Sequence, residues 1–227
     1  MTDRRTYGDP CGIARALDLL GERWALLVVR ELVLGPKRFT DLRSGLLGLS
    51  PDVLVQRLRD LEKAGVVRRA ALPPPAGSRI YELTEWGREL EPVLLALGRW
   101  GSRAPLPRGG PQLGVDAFVV ALKTLFDPSE AGGLSESVEL LVGGQRFHAV
   151  VKGKRLQVVR ANGERADATI QGDTRSLSAV LWHGRRLSEA RAAGDITIEG
   201  SRPVAERFLK LFPLRGPARP GPTAVAG

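Results

Sequence analysis

The stretch GPKRFTDLRSGLLGLSPDVLVQRLRDLEKAG, Gly35 to Gly65, decides how the chain is read. Gly35-Pro36 stops a preceding apolar helix, and Thr40 stands as the predicted N-cap of a short helical turn. Ser50 caps a second helix, with Pro51 at its first position, where a missing N–H is harmless. Leu54, Leu58 and Leu61 recur at helical spacing, so one stripe is buried and Asp52, Gln56, Arg59 and Lys63 face away from it. Gly65 supplies the C-terminal stop. Val66 to Ala70 and Arg79 to Leu83 then read as two strands joined by a Pro-rich tip, Leu72 to Ser78. Helix, turn, helix and hairpin in this order predict a winged helix-turn-helix.

Such a unit lays its second helix in the DNA major groove, N-terminal side chains nearest the bases. Ser50, Asp52, Gln56 and Arg59 are therefore the candidate base readers: Gln pairs with adenine, Arg with guanine, and Asp accepts from cytosine N4. Lys37, Arg38, Arg43, Arg57, Arg68, Arg69 and Arg79 are placed to hold phosphates. Any one of them alone also reads as part of a solvated helix face; wing, turn and basic rim together favour an interface.

Outward from this stretch, Asp9-Pro10 predicts the cap and first residue of an opening helix with Ile13, Leu17 and Leu20 on one stripe, ended by Gly21. Arg23 to Leu34 is apolar nearly all round and predicts the central pillar. Thr84 begins a helix to about Trp100, bent by the internal Pro92. With 227 residues the chain suggests two domains. The excess of 34 Lys plus Arg over 25 Asp plus Glu favours an anionic partner. That excess is shared by both halves, with 17 basic and 13 acidic residues through Ala104, so net charge does not locate the binding surface. A single cysteine excludes an internal disulfide framework. The N-terminus lacks a secretory apolar run and no stretch has transmembrane length, so a cytoplasmic location without membrane insertion is expected.

The first hundred residues resemble the HxlR family of bacterial winged-helix regulators. The resemblance rests on Cys11, Arg23-Trp24, Leu32 to Phe39, Gly48-Leu49-Ser50-Pro51, Gln56-Arg57-Leu58, Leu61, Gly65, Tyr81, Leu83-Thr84, Gly87 and Trp100-Gly101. It implies a homodimer, formed mainly by the first and last helices of the domain, on a palindromic operator of double-stranded DNA. Gly12 departs from the proline usual after the cysteine, and Asp52 and Val55 from basic or hydroxyl residues. In several relatives the matching cysteine senses oxidants or electrophiles. Here the helix dipole favours a Cys11 thiolate and Arg15 lies one turn on, while Asp9 opposes it; a plain helix residue without redox role is the alternative.

The chain divides into 1–104, a Pro/Gly linker at 105–113, a domain at 114–215 and a tail at 216–227 expected to be disordered. After a short helix at Asp116–Phe126, strand-like runs Ser137–Val142, Arg146–Val151, Arg155–Arg160 and Ala166–Gln171 alternate so that Val138, Leu140, Val142, Phe147, Ala149, Val151, Leu156, Val158, Ala168 and Ile170 share a buried face. Helices at Thr174–Trp182 and Leu187–Ala193, a strand at Asp195–Glu199 and a helix at Pro203–Phe212 complete an α+β domain with a mostly antiparallel sheet covered by helices. Asp167 to Asp173, the Gly184 region and Gly194 to Gly200 resemble the sterol-carrier-protein type of lipid-binding domain. That resemblance implies an apolar tunnel for a hydrophobic effector, with Phe147, Leu177, Val180, Leu181 and Trp182 as candidate ligand contacts; a solid core requires the same residues.

His148 and His183 stand apart, with no cysteine or paired carboxylate at metal spacing. There is no G-x-S-x-G elbow, P-loop or G-x-G-x-x-G. The expectation is a non-enzyme without metal or cofactor: a DNA-binding regulator, more often repressor, whose C-terminal domain binds a hydrophobic effector. Two other readings stay open. In one, Cys11 carries all sensing and the second domain is structural; in the other, the protein is a lipid carrier whose winged helix binds protein.

Overall fold

A computed structural model describes residues 6–71, 78–104, 112–160, 163, 165–214 and 216. The chain separates into two compact units, Met1–Leu94 with Gly114–Val120, and Leu95–Leu113 with Ala121–Gly227. The expected hairpin tip at 72–77, most of the 105–113 linker and nearly all of the 216–227 tail lie outside the described residues.

In the first unit, α1 (Gly12–Leu20) starts later than Asp9-Pro10 suggests. The Asp9 carboxylate accepts the Cys11 N–H at 2.8 Å, turning the chain at 9–11 so that Cys11 becomes the N-cap. Trp24 enters α2 (Ala25–Leu32) with φ 79°, a left-handed conformation unusual for a bulky residue. It is held there because its ring packs on the core, with the Arg23 guanidinium 5.6 Å from the ring centroid. The helix α3 (Phe39–Gly45) is capped by Arg38, not Thr40. The third residue in, Asp41, reaches back to accept the Arg38 N–H at 3.2 Å, which sets the start two residues earlier.

Ser50 does cap α4 (Pro51–Lys63), accepting the Val53 N–H at 3.4 Å. The strands β1 (Val67–Ala71) and β2 (Arg79–Leu83) pair antiparallel, with Arg69 opposite Tyr81. Between Thr84 and Gly101 there are two helices, α5 (Glu85–Arg88) and α6 (Leu90–Gly101), where one bent helix is expected. Pro92 accounts for this: it has no N–H, and its ring clashes with the carbonyl four residues back, that of Arg88, so α5 ends there. A Cβ on Gly87 would collide with the Val66 carbonyl, so only glycine lets α5 sit this close to the strand. Val28, Val29, Leu32, Leu42, Leu54, Leu58, Leu61 and Leu83 are buried around α2 as one core, each contributing about 1.5–3 kcal/mol of apolar transfer.

Lys37 joins three parts of this unit. Its backbone exchanges two hydrogen bonds with Tyr81, N–H to O 2.9 Å and O from N–H 2.8 Å, tying the segment before α3 to β2. Its ammonium, only 9% exposed, donates to Glu31 of α2 at 2.6 Å and pairs with Asp116, in the opening turn of α7 (Val115–Leu125). Glu31 also accepts from Arg30 at 2.8 Å.

The second unit carries a five-stranded sheet in the order β5-β4-β3-β6-β7, formed by β3 (Ser135–Val142), β4 (Gln145–Lys152), β5 (Arg155–Arg160), β6 (Ala168–Gly172) and β7 (Ile196–Gly200). Only β3 and β6 pair in parallel, Val138 opposite Ala168; the other pairs are antiparallel. The alternation places Val138, Leu140, Val142, Phe147, Ala149, Val151, Val158, Ala168 and Ile170 in the core, and leaves Leu156 half-buried. The helix α10 (Arg202–Leu209) packs on β3, β6 and β7 through Val204, Ala205 and Phe208, while α9 (Leu187–Ala192) packs on β7 and on α8 (Thr174–Trp182). Phe208 and Phe212 meet edge to face at 5.0 Å. Asp173 caps α8 by accepting the Ser176 N–H at 2.6 Å, a bond that holds its carboxyl below the usual carboxylate range. The architecture is α+β, as expected.

Lys37→Met keeps the length of the side chain and removes the ammonium that two buried carboxylates share. Denaturant unfolding of the full-length variant should show a loss of about 3–5 kcal/mol; an unchanged midpoint would show that the cluster adds nothing to stability.

Candidate nucleic-acid interface

The outer surface of α4 is set by its inner one. With Leu54, Leu58 and Leu61 buried, a helical advance of about 100° per residue carries Asp52, Gln56, Arg59 and Lys63 to the opposite side, and all four are exposed together with Ser50. Ser50 is engaged as the cap, so its hydroxyl oxygen already accepts a backbone N–H. Gln56 Nε2 donates to Asp60 Oδ1 at 2.9 Å, one turn further along. Asp52 lies in the first turn, where the helix dipole favours a carboxylate. Val53, absent from the set read from sequence, is also exposed, at 40%.

The structure divides the seven candidate phosphate contacts. Lys37 is withdrawn, because its ammonium is buried between Glu31 and Asp116. Arg57 is withdrawn as well: its side chain is 13% exposed and paired with Glu22 and Asp60, each at 3.2 Å. Arg68 pairs with Glu82 at 2.8 Å across the hairpin and Arg69 with Glu62 at 2.6 Å, yet both remain exposed. The Glu62 hydrogen bond raises the Arg69 pKa, and its guanidinium also lies 5.6 Å from the Tyr81 ring centroid. Arg38, Arg43 and Arg79 are exposed and, among the described residues, enter no ion pair, as is also true of Arg59. The cationic set is therefore Arg38 and Arg43 on α3, Arg59 on α4, and Arg68, Arg69 and Arg79 on the hairpin. Neighbouring carboxylates, remote or ambiguous in sequence, decide which cations point outward.

The helix-turn-helix that contains α4 matches a family model. Residues 19–107 fit the HxlR-like helix-turn-helix. An uncharacterised HTH-type transcriptional regulator of Synechocystis is 41% identical over 95 residues, 42% of this chain and 70% of that protein. The chain belongs to the HxlR-like helix-turn-helix family. The HTH-type transcriptional regulator YodB of Bacillus subtilis is a further relative, 36% identical over 88 residues, covering 39% of this chain and 79% of YodB. The reduced form of YodB superposes on 45% of this chain and 100% of its own at a TM-score of 0.38 and 33% identity. In this HxlR-like regulator residues 108–227, 120 residues, follow the part that matches the family model.

Those further residues contain the other candidates. Phe147 and Leu177 are fully packed, Arg160 lying 5.2 Å over the Phe147 ring. Val180, Leu181 and Trp182 are half-buried on α8. The Trp182 indole N–H donates to the Phe212 carbonyl at 3.1 Å, which gives it a structural role. Cys11 is exposed at the N-cap of α1, its side chain making no cap bond. His148 is buried and His183 exposed, and no group of metal-ligating residues occurs among the described residues. No helix among them is long and apolar enough to cross a membrane.

Salt titration of DNA affinity separates the two groups of arginines. Arg79→Ala and Arg43→Ala should each reduce the slope of log K against log salt by about one unit. Arg57→Ala should leave the slope unchanged, and a drop there would return Arg57 to the phosphate-contacting set.

Proposed function

We propose that this HxlR-like regulator binds a palindromic DNA operator as a homodimer and responds to a hydrophobic effector taken by its second unit. The observation that carries DNA binding is the outward row Asp52, Gln56 and Arg59 on a capped helix, rimmed by exposed arginines of α3 and the hairpin. Dimerisation is supported by exposed apolar side chains on α1 and α6. No residue of α1 is buried, and Ile13 is 73% exposed, with Leu17 also exposed on the same stripe. On α6, Val93, Leu97 and Trp100 are exposed at successive turns, Trp100 to 75%. The effector reading rests on the resemblance of the second unit to sterol-carrier-type domains and on the half-buried Val180 and Leu181 of α8.

Selection of operators from a random duplex library by the full-length protein tests the proposal. Recovery of an inverted repeat is expected, and Ile13→Asp should both yield monomers in sedimentation and abolish binding to it. No enriched sequence would return the winged helix to a protein-binding role.

Sensing through Cys11 is a second reading, favoured by the exposure of its thiol. Operator affinity of the wild type and of Cys11→Ser, each with and without a quinone or a saturating fatty acid, tells the two inputs apart. Loss of affinity with quinone in the wild type alone assigns sensing to Cys11. A shift of about fivefold or more with fatty acid in both proteins assigns it to the second unit. An unchanged affinity throughout removes both inputs.

A further inference from the structure

The first turn of α4 exposes two side chains of opposite chemistry side by side, the Asp52 carboxylate and the Val53 isopropyl group. Val53 is not part of the core: the inward stripe is Leu54, Leu58 and Leu61, and Val53 stands about 100° away from Leu54 around the helix. Helix formation does not call for it either, since a β-branched residue on an exposed helical surface loses rotamer freedom and lowers propensity. Its nearest outward neighbour along the helix, Gln56, is turned one step further on by its hydrogen bond to Asp60, which leaves the isopropyl group uncovered at 40% exposure. Lone exposed aliphatic residues are common on protein surfaces. This one stands at the third helical position, where a groove-inserted helix meets the base edges.

We infer that Val53 is a specificity-determining residue that packs on the C5-methyl group of a thymine in the major groove. The inference rests on the DNA-binding reading of α4. The chemistry follows from what a major groove presents: the thymine methyl is the apolar feature of the base-pair edges, and an aliphatic side chain satisfies it without leaving a polar group unpaired. Asp52 works in the same direction. Its carboxylate can only accept, so it is repelled by the N7 and O6 acceptors of guanine and by phosphate, and it favours edges that carry an amino group. Arg57, whose guanidinium could have read guanine from a neighbouring position, is instead turned to Glu22 and Asp60. The first turn is thus without a donor for guanine, and an aliphatic contact supplies its discrimination.

The test replaces each thymine of the selected operator in turn by uracil, which pairs identically and lacks only the methyl group. With the full-length wild type, one thymine should be found at which uracil weakens binding about fourfold, the transfer value of a single buried methyl. Val53→Ala should bind the thymine operator more weakly by a similar factor and be indifferent to uracil at that position. Val53→Thr, which keeps one methyl and the branched shape, should retain part of the sensitivity. Thermal unfolding of the variants checks that they remain folded. Indifference of the wild type to uracil at every position would overturn the inference while leaving DNA binding intact, as would undiminished sensitivity in Val53→Ala at the same thymine. Failure to bind any duplex would instead overturn the DNA-binding reading and this inference with it.

Discussion

The buried ammonium of Lys37, between the carboxylates of Glu31 and Asp116, is the constraint on which the DNA-binding unit depends. Charges so placed are stable only in company. Each carboxylate taken out of water needs its cation, and the cation needs oxygen acceptors. The same residue exchanges two backbone hydrogen bonds with Tyr81. The position of β2 relative to α2 is therefore tied to an electrostatic cluster that has one good arrangement. A Cβ on Gly45 would strike the Glu31 carboxylate, so the end of α3 is fitted to the cluster as well. Asp116 follows the linker in sequence, yet it and the rest of Gly114–Val120 belong to this unit. The winged helix of this chain is thus completed by a segment outside the part that matches the family, which ends at residue 107.

The interface is shaped by what the acidic residues remove from it. Glu22 and Asp60 hold Arg57, Asp60 also holds Gln56, and Glu62 and Glu82 align Arg69 and Arg68 along the hairpin. Exposed ion pairs contribute little stability, a median of about 0–1 kcal/mol. Their effect here is orientational: a guanidinium already directed along a strand or against a ring loses less freedom when it meets a phosphate. From Asp52 to Arg59 the outer face of α4 is correspondingly sparse, with an acceptor, an aliphatic group, an amide engaged by Asp60 and one guanidinium.

In the second unit the parallel pairing of β3 with β6 puts the two chain excursions on opposite edges: β4 and β5 on one side of β3, and β7 beyond β6. β3, β4 and β5 pair through short turns, whereas β3 with β6 and β6 with β7 join strands distant in sequence, and the Asp167 carboxylate beside β6 adds to the first of these by accepting the Ser137 N–H at 2.7 Å. The end of α10 closes that core. Phe208, Leu211 and Phe212 are buried, Trp182 donates to the Phe212 carbonyl, and the Leu211 carbonyl accepts from Asp127.

Local signals were sufficient for much of this. Ser50-Pro51 began α4 where the cap and the harmless proline place it, and the period of Leu54, Leu58 and Leu61 assigned its outer face. The alternation in β3, β4, β5 and β6 named nearly every apolar core residue of the sheet. These features depend on neighbours a few residues away and are present in any sequence that carries them. Other positions were decided by contacts that period does not mark, some local and some between residues the chain brings together from afar. Thr40 reads as a cap until Asp41 reaches back to Arg38. Lys37 and Arg57 read as phosphate contacts because lysine and arginine are usually solvated, and only folding places Glu31, Asp116 and Glu22 against them. Val53 was passed over because periodicity identifies what is buried and does not mark an aliphatic side chain left outside. Sequence alone determined most of the elements and their inner faces, since apolar burial follows helix and strand period. The tertiary structure decided which charges remain at the surface, because an ion pair is specified by a contact and leaves no period to read.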